Sequence, residues 1–130
     1  MLLLTGATGF VGRQVLRALA ERERAMRLIL RGSAASPVAE GASVEVLETP
    51  DLFQAGRDWC AAALAGVDTV VHLAWYAEPG QYLSSPRNLD CLRGTLDLAQ
   101  ACIDAGVRRF VGVGSCAEYD LTRGLLGRSE

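Results

Sequence analysis

Leu2-Leu3-Leu4-Thr5-Gly6-Ala7-Thr8-Gly9-Phe10-Val11-Gly12 opens the chain and decides how the rest is read. Three consecutive leucines suit a buried strand, and the glycine-rich turn behind them runs straight into helical periodicity. Val11, Val15, Leu16 and Leu19 recur at that spacing, leaving Arg13, Gln14, Arg17 and Glu21 for solvent. A strand that breaks into glycines and then opens a helix makes an anion-binding corner. Backbone N–H groups point outward there, and the helix dipole adds partial positive charge. Each glycine has its own expected role. Gly6 permits the tight turn, Gly9 lets a pyrophosphate approach the main chain, and Gly12 lets the helix pack close to the strand. Thr8, Phe10 and Val11 complete the corner. A glycine triplet alone is weak evidence, because surface turns collect glycine; its place between a strand and an amphipathic helix gives it weight.

The rest of the chain alternates strand and helix. Residues 26–30 and 43–47 read as the second and third strands, separated by the turn-rich Gly32-Ser33-Ala34-Ala35-Ser36-Pro37. A short helix is expected over 57–64. Residues 67–73 form a fourth strand, apolar enough to be buried on both faces as in a parallel sheet. Residues 79–86 hold Gly, Ser and two prolines and read as a loop. A long helix over 86–105 follows, with an apolar stripe of Leu89, Leu92, Leu96, Ala99 and Ile103 and a stop at Gly106. Residues 109–114 are the fifth strand. Five strands with helical crossovers mean a doubly wound α/β sheet of parallel strands, the Rossmann arrangement. Its sixth strand and further helices are expected beyond residue 130, so the chain reads as one incomplete dinucleotide-binding domain.

Composition narrows the function. At 130 residues the chain is at most one domain, on the ~100–200 residues that a domain usually takes. Half of the residues are hydrophobic, enough for a sizeable core. Thirteen basic residues against fifteen acidic ones, with no dense cluster of either sign, argue against nucleic acid or an anionic membrane as the partner. No apolar run approaches the ~20 residues that span a bilayer, and Leu2 to Leu4 is no signal peptide. A cytoplasmic location is expected. The cysteines, Cys60, Cys91, Cys102 and Cys116, are too scattered for a zinc site; Cys60 and Cys102 read as small buried hydrophobes kept reduced.

The second strand's exit bears on the cofactor. An NAD-binding domain usually closes that strand with a carboxylate for the ribose 2′-OH, but here the corner reads Leu30-Arg31-Gly32-Ser33. The Arg31 guanidinium can instead pair with a 2′-phosphate. NADP is therefore the first choice and NAD the second. Asp51-Leu52 follows the third strand, where an adenine edge would lie and a carboxylate can accept from the amino group. Leu73 and Ala74 end the fourth strand beside the cofactor, where Ala74 and Trp75 would pass the ribose through their backbone. His72 is the only histidine. Inside an apolar strand it reads as a structural residue whose ring finds a local partner.

Four segments resemble the extended short-chain dehydrogenase/reductase family, the NAD(P)-dependent epimerase/dehydratases of nucleotide sugars. They are Thr5-Gly6-Ala7-Thr8-Gly9-Phe10-Val11-Gly12, Val67-Asp68-Thr69-Val70-Val71-His72-Leu73-Ala74, Arg93-Gly94-Thr95-Leu96, and the run from Val107 through Ser115-Cys116-Ala117-Glu118-Tyr119. The resemblance implies a pyrophosphate site at Gly6, Gly9 and Gly12. It implies that Ser115 is the catalytic hydroxyl that hydrogen-bonds the substrate's reacting oxygen, a sensible role beside a nicotinamide. It also implies that a longer protein acts on a nucleotide-sugar-like substrate as an epimerase, dehydratase or 4-ketoreductase, and that the long helix can pair with a second subunit in a homodimer. The alternative is a non-catalytic module that senses NADP.

Three departures from the family pattern stand out. Members usually carry Asn three residues before the Gly-Thr pair, where this chain has Cys91; Asn88 is a candidate substitute one turn earlier. Members often show two serines after the fifth strand, and here Gly114-Ser115 stands. The family's proton donor is a Tyr-x-x-x-Lys pair, whose lysine lowers the phenol's pKa. All thirteen basic residues of this chain are arginine, so these 130 residues by themselves do not run the usual mechanism.

Overall fold

The computed structural model describes residues 1–22, 24–32 and 43–115. Cys116, Tyr119 and the loop beyond Gly32 lie outside these residues. Five strands form one parallel sheet: β1 (Leu2–Thr5), β2 (Met26–Arg31), β3 (Val44–Thr49), β4 (Thr69–His72) and β5 (Arg109–Gly112). Their order is β3-β2-β1-β4-β5, with Thr5 opposite Ile29 on one side and His72 on the other. The doubly wound parallel sheet read from the sequence is borne out. The chain reverses direction across the sheet between β1 and β4, where open α/β sheets take their ligands.

Side-chain alternation builds two cores. Leu2, Leu4, Leu28 and Leu30 point to the face covered by α1 (Phe10–Ala20), where Leu16 is buried against them. Leu3, Ile29 and Val70 point to the other face. There α2 (Arg57–Ala63) supplies Cys60 and Ala63, and α3 (Arg87–Asp104) supplies Leu98, Ala101 and Cys102. Period-two burial on both faces is what a parallel strand between two helical layers requires. Arg27, a buried cation on β2, donates to the Ala63 and Ala65 carbonyls at the end of α2 and to Glu45 Oε2 at 2.9 Å. Its charge is thereby paired and the helix end satisfied.

Gly106 terminates α3 as expected. At φ +71° it turns the chain so that its N–H donates to Ile103 and the Val107 N–H to Cys102, a Schellman closure.

Two helical stripes differ from expectation. Val11 is 51% exposed, and the buried face of α1 is made by Gly12 and Leu16. On α3, Leu89, Leu92, Leu96 and Ile103 face solvent, while Cys91, Gly94, Leu98, Ala101 and Cys102 pack inward. The physical reason is closeness: Gly94 sits so near the backbone of Phe53 that only small residues fit on the inner face there. The larger leucines are left outside. At the far edge β5 pairs with β4, and Phe110, Val111 and Val113 are exposed.

Candidate functional site

The β1–α1 corner is built as its glycines require. Gly6 lies at φ +72°, the left-handed region that favours glycine, and a Cβ there would stand 2.7 Å from the Ala74 nitrogen. A Cβ on Gly12 would overlap the Gly6 carbonyl. Gly9 is different. Its φ is −72°, and an added Cβ would meet only the Gly6 carbonyl oxygen, at 3.3 Å. That contact is tight for a carbon against a backbone oxygen, though far less severe than at Gly6 or Gly12, and Gly9 lines the cleft.

Gly9 caps α1 without a side-chain hydrogen bond, and the first turn contains no acidic residue. The N–H groups of that turn have no intrahelical acceptor, and the dipole's positive end is unopposed. Arg13 Nε donates to the Thr8 carbonyl at 2.9 Å and so holds the turn from outside. Phe10 is 89% exposed at the mouth.

A cleft of about 380 Å³ opens from this corner along the carboxyl edge of the sheet. Its walls include Gly6, Thr8, Gly9, Phe10, Val11 and Gly12 from the corner, Arg31 from β2, Asp51 and Leu52 after β3, and Leu73 and Ala74 after β4. All eleven residues expected around a cofactor therefore face one space. Ser115 does not line it. It stands past β5 on the same edge, where the Val113 N–H donates to the His72 carbonyl.

Asp51 is already engaged. Its Oδ1 accepts from the Phe53 N–H at 3.0 Å and starts a 3₁₀ turn over Leu52–Gln54, while Oδ2 faces Arg87 Nη2 at 3.5 Å. Arg87 also lies over the Tyr76 ring, 4.8 Å from its centroid. Arg87, Tyr76, Phe53 and Cys91 line the cleft and were not expected there. The spacing of Cys91 before Gly94-Thr95 was the available signal for one of them; nothing local in the sequence marks Arg87.

Asn88 does not line the cleft. It accepts from Trp75 Nε1 at 2.9 Å and donates to the Tyr82 carbonyl, which ties the loop before α3 to the exit of β4. Cys91 lines the cleft and is buried. Burial pushes its thiol up, and a backbone hydrogen bond from Tyr76 opposes that. Burial likewise raises Cys60, and it raises Cys102 to about 11 with Cys60 adding to it, so these thiols are protonated packing groups. Among the described residues no three His, Cys, Asp or Glu side chains gather for a metal, and no helix is long and apolar enough to cross a membrane.

His72 finds partners on both ring nitrogens. Nδ1 lies 2.8 Å from Thr5 Oγ1 and Nε2 lies 3.0 Å from Thr95 Oγ1. Thr5 Oγ1 in turn accepts from the Ala74 N–H at 3.2 Å. The reading of His72 as a structural residue stands on this geometry.

The chain belongs to the NAD dependent epimerase/dehydratase family, whose model matches residues 2–127. Among solved structures it is similar to gox2253, with 34% identity over 96% of this chain and a TM-score of 0.77. It is also similar to uronate dehydrogenase from Agrobacterium tumefaciens, with 29% identity over 88% of the chain and a TM-score of 0.68. A variant of that dehydrogenase is complexed with NAD. MoeE5, in complex with UDP-glucose and NAD, shares 28% identity over 99% of the chain with a TM-score of 0.74. The chain spans 37%, 40% and 41% of the lengths of these three proteins.

Proposed function

We propose that this chain is the dinucleotide-binding part of an enzyme that acts on nucleotide sugars, as an epimerase, dehydratase or 4-ketoreductase. One observation carries the reading: the Gly9 backbone lines an open cleft at the unopposed positive end of α1. Main-chain amides at such a corner suit a pyrophosphate. Arg31 would pair with a 2′-phosphate, which makes NADP the first choice and NAD the second. Asp51 and Leu52 would border the adenine, and Leu73 and Ala74 would pass the ribose. When bound, the nicotinamide accepts or supplies the hydride. Ser115 would hold the reacting oxygen of the sugar by a hydrogen bond, orienting it for that transfer. The NAD complexes of the uronate dehydrogenase variant and of MoeE5, the latter with UDP-glucose, support a nicotinamide dinucleotide in the cleft and a nucleotide-sugar substrate.

The exposed row Leu89, Leu92, Leu96 and Ile103 on α3 supports a homodimer in which two such helices pair. The test of the main reading is ligand-linked stability. At a hundredfold excess over its dissociation constant, a bound dinucleotide adds about 2.7 kcal/mol to unfolding. Absence of any shift with both NADP and NAD overturns the reading.

A further inference from the structure

The direction of the hydrogen bonds around His72 follows from the one that Ala74 makes. The Ala74 N–H donates to Thr5 Oγ1, so that oxygen already accepts once. The Thr5 hydroxyl hydrogen then needs an acceptor of its own, because a buried unpaired O–H is costly. His72 Nδ1, at 2.8 Å, is placed to be that acceptor. An imidazole that accepts at Nδ1 carries its proton on Nε2, where Thr95 Oγ1 receives it at 3.0 Å. Phe53 and Phe110 cover the ring, with centroids 6.2 and 6.0 Å away. Burial holds the imidazole neutral, with its pKa down at about 4. No buried side-chain nitrogen or oxygen among the described residues lacks a partner.

We propose that His72 is a positioning residue for the cleft: by accepting at Nδ1 it turns the Thr5 oxygen toward the Ala74 N–H and fixes the exit of β4 against Gly6. The consequence is direct, because a Cβ on Gly6 would stand 2.7 Å from the Ala74 nitrogen and 2.8 Å from the Leu73 carbonyl carbon. The two backbones touch, and both line the cleft. With the proton on Nδ1 instead, the Thr5 oxygen would accept twice, and its own hydrogen would lack an acceptor or turn toward Ala74 and displace that bond. Once it is displaced, the strand exit is held to Thr5 only by the long Leu73 N–H bond to its carbonyl, 3.3 Å. The Gly-Thr pair of α3 serves the same arrangement twice. Gly94 lets the helix approach the Phe53 backbone, and Thr95 fixes the proton on Nε2.

Because the chain has one histidine, nitrogen NMR of the ring in the full chain reads its tautomer without ambiguity. The expected result at neutral pH is an unprotonated Nδ1 and a protonated Nε2. A proton on Nδ1, or an imidazolium, overturns the proposal. Two variants then separate positioning from mere bracing. His72→Asn keeps an acceptor where Nδ1 stood, whereas His72→Gln keeps a donor where Nε2 stood. Positioning through Thr5 predicts that the Asn variant retains exchange protection of the Ala74 amide and unchanged NADP and NAD affinity. The Gln variant should lose that protection and bind the dinucleotide about tenfold more weakly, the effect of one good hydrogen bond. A brace between sheet and α3 predicts the reverse order and sinks the proposal. The effect on affinity rests on the dinucleotide reading of the cleft, but the tautomer and the Ala74 protection do not. An unaltered chain that retains neither cofactor therefore defeats that reading while NMR and exchange still decide the role of His72.

Discussion

A methyl group on Gly12 would overlap the Gly6 carbonyl oxygen, whereas one on Gly9 would meet that same oxygen at a tight 3.3 Å. Two glycines of one motif thus differ in degree: Gly12 admits no side chain, while Gly9, which also lines the cleft, admits one only if the Gly6 carbonyl gives by a few tenths of an ångström. Gly12→Ala should destabilise the fold by about 3 kcal/mol, since backbone and not a flexible side chain stands in the way. Gly9→Val should cost less stability than Gly12→Ala and should remove the stabilisation by NADP or NAD. Denaturant titrations of both variants, with and without cofactor, check this. A Gly9→Val chain that still gains stability from the dinucleotide would place the anion elsewhere.

Arg31 ends β2 at the cleft, exposed and opposite Thr49 in the neighbouring strand. If its guanidinium receives a 2′-phosphate, Arg31→Ala should weaken NADP by about tenfold, the loss of one charged hydrogen-bonding pair at an exposed site. NAD affinity should not move. Calorimetric titration of both cofactors into both proteins measures the double difference. Tighter NAD than NADP in the unaltered chain removes Arg31 from cofactor selection.

The outer row of α3 invites a test by charge. Leu92→Arg combined with Leu96→Arg adds two cations to a face that is solvent-exposed in the monomer, so folding should be little affected. Any dimer built on that face should dissociate, because desolvating unpaired cations is costly. Sedimentation velocity on the unaltered and doubly substituted chains reads the outcome. Unchanged association would assign the interface to another surface.

The sheet was legible because its signals are local. Leu2 to Thr5 and Met26 to Arg31 are apolar runs, and glycines punctuate the chain where φ turns positive, at Gly6, Gly32, Gly66 and Gly106. The floor of the cleft was legible for the same reason, since Gly6, Gly9 and Gly12 sit within one turn of one another. The inner face of α3 was not. Large apolar residues dominate any periodicity reading, yet contact with the Phe53 backbone selects Gly94 and leaves Leu89, Leu92 and Leu96 outside. Arg87 escaped for a different reason: its partners Asp51 and Tyr76 come from separate segments, and only the tertiary fold brings them together.

His72 also sets how the fold responds to acid. Burial lowers its pKa from the ordinary 6.5 to about 4, so between these values the unfolded chain binds a proton that the folded chain refuses. Stability therefore falls as pH drops through this window, by about 3 kcal/mol when the window has been crossed. Asp68 acts later. Hydrogen bonds from the N-terminal ammonium and from Thr69 hold its carboxyl at about 2, so its contribution is present above 3.8 and is lost only as pH falls toward 2. The groups against the His72 ring are Thr5, Thr95, Phe53 and Phe110, none of which titrates in acid. Urea unfolding at pH 7, 5.5 and 4 should thus show a loss that His72→Asn abolishes across the upper window. An equal pH slope in the variant would assign the acid sensitivity to the carboxylates instead.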